Sequence, residues 1–166
     1  MARTGLTIES PKIGQTLTFV STAADTGGAE LVIEALMRPG AFIPSHRHLH
    51  QTETFEVLEG VATFGLNGDR LVATAGERVE VPTGAVHRFK NRSGEDVRIR
   101  ATLRPALRAE DVFERLFRLG AEGRVNRLGG PSPLETARLV REFRDEFFYL
   151  WPIPVAVQRL LAGARP

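Results

Sequence analysis

The sequence predicts a mainly β, antiparallel fold followed by a helical extension, and three observations carry that expectation. From Thr16 to Arg104 the chain is a run of short segments punctuated by Gly, Pro and Asn-Gly turn signals, the rhythm of a sandwich or barrel. Within that run Val97 to Arg104 sets Val97, Ile99, Ala101 and Leu103 against Arg98, Arg100, Thr102 and Arg104, the period of a strand with one buried face. After Pro105 the apolar spacing becomes helical. The expected organisation is a β-domain over residues 1–105 and an α-helical extension over 106–166, packed on the β-domain or at a dimer interface. At 166 residues the chain is long enough to bury a core.

Residues 1–15, with Gly5, Pro11 and Gly14, read as an arm or irregular edge. Thr16 to Thr22 is rich in β-branched residues and reads as a strand. Ala23 to Gly28 reads as a small polar loop. Glu30 to Arg38 fits helix or strand by periodicity alone; Pro39-Gly40 and its neighbours favour a strand. Further strands are expected at 53–58, 61–65, 70–74, 78–81 and 87–90. Asn67-Gly68 marks the clearest hairpin, because both central residues of a type I′ turn need positive φ. In the extension, Val112, Phe113, Leu116 and Phe117 form a stripe over Ala109 to Leu119, with Gly120 as C-cap. Ser132-Pro133-Leu134-Glu135 opens a second helix. Its expected stripe is Leu134, Ala137, Val140, Phe143 and Phe147, with Arg138–Glu142 and Arg141–Asp145 pairs outside. A third short helix is expected over 154–162.

Composition removes several functions. The formal charge is +2 and no Lys/Arg run forms a stripe, so no nucleic-acid partner is expected. There is no cysteine, hence no disulfide framework and no thiolate metal site. No segment has the ~18 apolar residues of a membrane span, and residues 1–11 lack a signal-peptide pattern. The expectation is a soluble cytoplasmic protein.

What remains is nitrogen and oxygen chemistry around His46, His48, Glu53 and His87. His46 and His48 leave one face of an extended strand, and imidazole plus carboxylate suits a borderline divalent metal. His50 continues the alternation and is an alternative to Glu53, although the chain must turn before Glu53 and a rim position is favoured. Gln51 and Thr52 read as loop surface; Glu56 and Glu59 read as solvated.

The spacing around these residues is more informative than the donors alone. Gly40 is followed by five residues, His46, one residue, His48, four residues, Glu53, six residues and Gly60. A second pattern runs Gly76, five residues, Pro82, one residue, Gly84, two residues, His87, three residues and Asn91. The pair resembles the two motifs of the cupin superfamily, matched at every defining position over about residues 30–105. The resemblance implies an antiparallel jelly-roll β-barrel and one divalent transition metal held by His46, His48, Glu53 and His87. Iron or manganese is expected first, with zinc, nickel, cobalt or copper compatible. Asn91, Pro82 and the glycines are then structural. Phe55, Val57, Phe89 and His50 are the expected pocket residues; Met37, Phe42 and Phe64 are neighbours read as core. Arg98 and Arg100 are expected outside, on the solvated face. Function stays open between a metal-dependent enzyme on a small organic molecule (dioxygenase, isomerase or decarboxylase type) and a non-catalytic small-ligand or metal-sensing module, with a homodimer as the expected assembly.

Overall fold

The alternating stretch Val97–Arg104 is a strand near the middle of the larger of two antiparallel sheets in a computed structural model of the chain, which describes residues 2–126, 130–143, 146 and 148–149. In chain order the elements are β1 (Thr7–Ser10), a 3-10 turn (Pro11–Ile13), β2 (Gln15–Ser21), α1 (Ala23–Thr26), β3 (Leu31–Met37) and β4 (Phe42–Arg47). There follow β5 (Thr52–Glu59), β6 (Val61–Leu66), β7 (Asp69–Thr74), β8 (Arg78–Val81), β9 (His87–Lys90) and β10 (Val97–Arg104). The chain continues through α2 (Ala109–Ala121) and α3 (Pro133–Glu142) to β11 (Phe148–Tyr149). One sheet has the order β1-β2-β3-β10-β5-β8 and the other β11-β4-β9-β6-β7.

Burial decides the register. Across β3 and β10, Leu31 faces Leu103, Ile33 faces Ala101, Ala35 faces Ile99 and Met37 faces Val97, and all eight are buried. A fully buried Leu, Ile or Val side chain contributes about 1.5–3 kcal/mol. The outward pairs Arg98–Glu59 (3.0 Å) and Arg100–Glu34 (2.6 Å) are surface bridges of the kind that contribute about 0–1 kcal/mol. A slip by one residue would turn arginines into the core. The ambiguous 30–38 segment is therefore a strand, fixed by its partner. The Asn67-Gly68 turn has φ of 50° and 101°, as a type I′ hairpin requires. Gly60 combines a φ of 82° with a close approach: an added Cβ would lie 2.7 Å from the Asp96 carbonyl oxygen.

Several elements depart from sequence expectation. The N-terminal arm contributes a regular edge strand, β1 pairing with β2. The loop at 23–28 contains a single helical turn. There the Asp25 carboxylate accepts from the Thr22 amide at 2.8 Å and hydroxyl at 2.7 Å, a capping interaction too local to leave a periodic pattern. Leu134 is 61% exposed; the buried face of α3 is Glu135, Thr136, Leu139 and Val140, rotated from the expected stripe. On that face Glu135 pairs with Arg124, which precedes the helix, at 2.7 Å and, within the helix, with Arg138 at 2.8 Å. Arg138 consequently pairs with Glu135 and not with Glu142. Asp145, Phe147 and the expected helix at 154–162 lie outside the described residues.

Gly120 is not the C-cap of α2, which runs one residue further to Ala121. It is the contact that docks the helix: a Cβ there would stand 2.2 Å from Ser10 Oγ and 3.1 Å from Ser10 Cβ. Alanine is the better helix former by about 1 kcal/mol, but overpacking costs about 1–3 kcal/mol, so Gly120→Ala is expected to lower the urea midpoint. Adding Ser10→Ala should recover most of the loss. Unchanged stability in the single variant would rule out this docking.

Candidate metal centre

The four donors come from both sheets. His46 lies near the end of β4 and is the cross-strand partner of His87, the first residue of β9. His48 follows just past β4, and Glu53 enters from β5 in the opposite sheet. All four are buried, with exposures of 3–9%, and one donor atom from each lies within 4.8 Å of the others. Donors adjacent on an ion at about 2.1 Å stand roughly 3.0 Å apart. Glu53 Oε2 is 2.8 Å from His87 Nε2 and 3.4 Å from His48 Nε2, which brackets that spacing.

Local structure explains how the segment reaches this geometry. The pleat directs His46 and His48 inward together. Beyond His48 the chain bends at Leu49 and His50. The Gly84 amide donates to the His48 carbonyl at 2.7 Å, so the Pro82-Thr83-Gly84 turn holds the backbone that carries the ligand. Asn91 is structural as expected: its amide donates to the Met37 and Glu95 carbonyls at 2.8 and 2.7 Å.

Hydrogen bonding assigns the tautomers. The Nδ1 atoms of His46, His48 and His87 lie 2.9, 2.7 and 3.2 Å from the carbonyl oxygens of Pro44, Glu146 and Ala85. A carbonyl only accepts, so each Nδ1 carries the proton and each neutral ring presents a bare Nε2. These lone pairs converge on a carboxylate that also only accepts. Desolvation raises the Glu53 pKa, but the His48 and His87 rings, which donate and carry positive charge when a proton sits on Nε2, outweigh it and hold the carboxyl far below the usual range. Two acceptors 2.8 Å apart need a cation between them, and His48 Nε2 is buried with no hydrogen-bond partner. The donor set therefore fits a metal ion, and where the ion is lacking a proton must substitute. Burial, then His87 and His48, depress the His46 pKa. For His48, desolvation lowers the pKa, but Glu53 and the Glu146 carbonyl outweigh it and the net shift is upward.

A cavity of about 150 Å³ extends from the donors between the sheets to α2. Phe55, Ile99 and Leu103 line it from the six-stranded sheet, Phe42 and Ile43 from β4, and Val112, Phe113, Leu116 and Phe117 from α2. No Lys or Arg is among the described residues that line it; Arg98 and Arg100 point outward into ion pairs, as expected.

Of the expected pocket residues, Phe55 lines the cavity. Val57 is wholly buried in core and Phe89 packs edge-on to Phe64 behind the site; neither lines it. His50 is exposed, because the bend after His48 breaks the alternation. Met37 and Phe42, read as core, do line it. Gln51, expected on the surface, is 1% exposed, and its amide donates to the Pro105 and Ala106 carbonyls at 2.8 and 2.9 Å. Glu146 was not signalled at all, because its contribution to His48 is a backbone carbonyl that any residue type possesses.

Comparison with known proteins agrees with this geometry. Residues 33–103 match the family model described as the cupin domain. The chain is 34% identical over 89 residues to "Polyketide synthase CurC" of Streptomyces cyaneus, covering 54% of this chain and 56% of that protein. It is 31% identical over 72 residues to quercetin 2,3-dioxygenase of Bacillus subtilis (strain 168), covering 43% and 21%. The alignments thus span about half or less of these relatives. A RmlC-like cupin from Shewanella frigidimarina superposes with a TM-score of 0.54 at 21% identity, over 62% of this chain and 86% of that one, a likeness of fold.

The protonation pattern predicts how metal is lost in acid. His46 and Glu53 resist protonation, whereas the His48 pKa is raised, so a proton competes with the metal at His48 as the pH falls. Affinity for Mn(II) or Zn(II) is expected to begin falling at or above about pH 6.5, by about tenfold per pH unit for each histidine that must release a proton. Chelator competition from pH 8 to pH 5 measures this; a flat affinity would contradict the assignment.

Proposed function

We propose that this chain, whose residues 33–103 form a cupin domain and place it in the cupin superfamily, is a metal-dependent enzyme that consumes dioxygen while acting on a small aromatic, phenol-like substrate. The observation that carries the reading is the apolar cavity of about 150 Å³ that His46, His48 and Glu53 open into, with no Lys or Arg among the described residues that line it. An apolar cavity of about that volume accommodates a benzene-sized ring. An ionised keto-acid finds no cationic partner on those described walls. The similarity to a quercetin dioxygenase, an enzyme named for a polyphenol, supports the same substrate class.

His46, His48, Glu53 and His87 would hold one divalent transition metal, iron or manganese first by donor type. When bound, that ion supplies Lewis acidity at the cavity floor and, for a redox-active metal, electron exchange with dioxygen. The chain's own residues do the rest. The Pro44, Glu146 and Ala85 carbonyls hold the three rings in the Nε2-donor tautomer. Phe55 and the α2 stripe exclude water and orient a flat ring. Glu53 stays ionised and would be the anionic member of the donor set. An isomerase would need an acid and a base beside the substrate. Beyond the four donors, the lining offers one further carboxylate, Glu146, which already accepts from the Arg108 amide at 3.3 Å. The isomerase reading is therefore disfavoured.

Two measurements test the proposal. Protein purified without chelator should carry about one metal per chain, and His46→Ala/His87→Ala should lose it; stoichiometric metal in the double variant would refute the ligand set. Iron- or manganese-loaded protein should take up oxygen with monocyclic phenols and not with keto-acids, and Phe113→Ala should raise KM more than it lowers kcat. Tight phenol binding without turnover would make the chain a binding module instead.

A further inference from the structure

The outward faces of the two sheets treat charge differently. On the six-stranded sheet each arginine meets a carboxylate: Arg78 with Glu56 at 3.5 Å, Arg98 with Glu59 at 3.0 Å, Arg100 with Glu34 at 2.6 Å, and Arg104 with Glu30. On the five-stranded sheet, Arg88 and Lys90 leave β9 on its exposed side, Arg92 continues the alternation, and Arg70 approaches from β7. None of these four cations forms an ion pair or side-chain hydrogen bond with any described residue. All four line one groove of about 430 Å³, and no acidic residue is among the described residues that line it. A groove of that size falls in the range of small-molecule sites.

Two details mark a built site and not a stray basic patch. Thr63 lines the groove, is 8% exposed, and its hydroxyl has no hydrogen-bond partner among the described residues. Gly65 lies in register between Arg70 and Arg88. A Cβ there would stand 2.7 Å from Arg88 Nε and 2.9 Å from Arg88 Cγ, so the missing side chain lets Arg88 lie flat across β6. At the other rim Phe42, Ile43 and Pro44 supply apolar surface, and the same three residues line the metal-centre cavity on the far side of β4.

We propose that this groove binds the phosphate of a small phosphorylated organic molecule. Guanidinium groups match phosphate oxygens with paired donors, and Thr63 can donate to a further oxygen. A single carboxylate would offset one charge of the four; a phosphate ester or diphosphate offsets more. The Phe42–Pro44 rim is placed to carry the organic part. A nucleic-acid duplex would call for a basic stripe longer than one such groove.

The test is calorimetric titration of the full chain at low salt with pyrophosphate, inorganic phosphate and phenyl phosphate. Saturable one-to-one binding of pyrophosphate is expected, weakened at least tenfold in Arg70→Ala/Arg88→Ala and partly retained in Arg70→Lys/Arg88→Lys. His46→Ala/His87→Ala should bind as the parent does, which separates this groove from the metal centre. Tighter binding of phenyl phosphate than of phosphate would support the role of the apolar rim; equal binding would confine recognition to the cations and still support the phosphate site. Absence of saturable binding at millimolar ligand, indifference to the double alanine variant, or tighter binding of a short DNA duplex than of pyrophosphate would overturn the proposal.

Discussion

The structure turns on a hydrogen-bond account that does not balance without a cation. Glu53 crosses from one sheet to within 2.8 Å of His87 Nε2 and 3.4 Å of His48 Nε2 on the other. Each imidazole has already committed its Nδ1 proton to a carbonyl. An ionised carboxylate and bare ring nitrogens, all buried, would otherwise repel one another in a low dielectric. A metal ion bound there would be held by His46, His48, Glu53 and His87 and would link β5 to β4 and β9. Binding energy at this point is also sheet-to-sheet energy, so the site and the fold support each other.

The segment after α3 belongs to that arrangement. The Glu146 carbonyl fixes the His48 ring at 2.7 Å and its carboxylate accepts from the Arg108 amide at 3.3 Å. Beyond it, β11 pairs Phe148 with Arg47 and Tyr149 with His46, covering the edge of the strand that bears a ligand. Arg108 also stacks over the Phe143 ring at 4.8 Å. These contacts place Glu146 and β11 beside the candidate metal centre, while α2 closes the cavity above it. Helices that read in sequence as a covering layer take part in orienting a donor.

Much of this was legible from residues, for identifiable reasons. Strands such as Val97–Arg104 announce themselves because one face is apolar and the other charged, and the structure buries the expected face. The donor set was legible because metal ligation restricts residue type and the turn glycines restrict spacing. Gln51, Glu146 and Gly120 were not. Gln51 acts through an amide that a surface glutamine also carries, Glu146 reaches His48 through its backbone, and Gly120 matters for what it lacks. Leu134 was misplaced because α3 buries the Glu135 face, where Arg115 and Arg124 reach the carboxylate from outside the helix, a tertiary contact without a periodic signature. Arg88, Lys90 and Arg92 alternate in the sequence, yet alternation of charge shows only which face they share. That they lack counter-ions depends on which strands become neighbours.

The contrast between the two cavities follows from where each lies in the barrel. Between the sheets, no arginine is among the described residues that line the cavity, and the charges there are the Glu53 and Glu146 carboxylates, so electrostatic interactions with an occupant are strong. A neutral ring gains from the apolar walls, and an anion gains only by approaching the metal itself. Outside the five-stranded sheet, solvated arginine and lysine stand without carboxylates, where attraction for an anion is salt-dependent and long in range. The Phe42–Pro44 stretch of β4 separates the two, presenting apolar surface to both. On the two proposals made above, an apolar ring and an anionic group would be received on opposite sides of the strand that carries His46. The chemistry at the metal centre is in this way insulated from the charge that surrounds it.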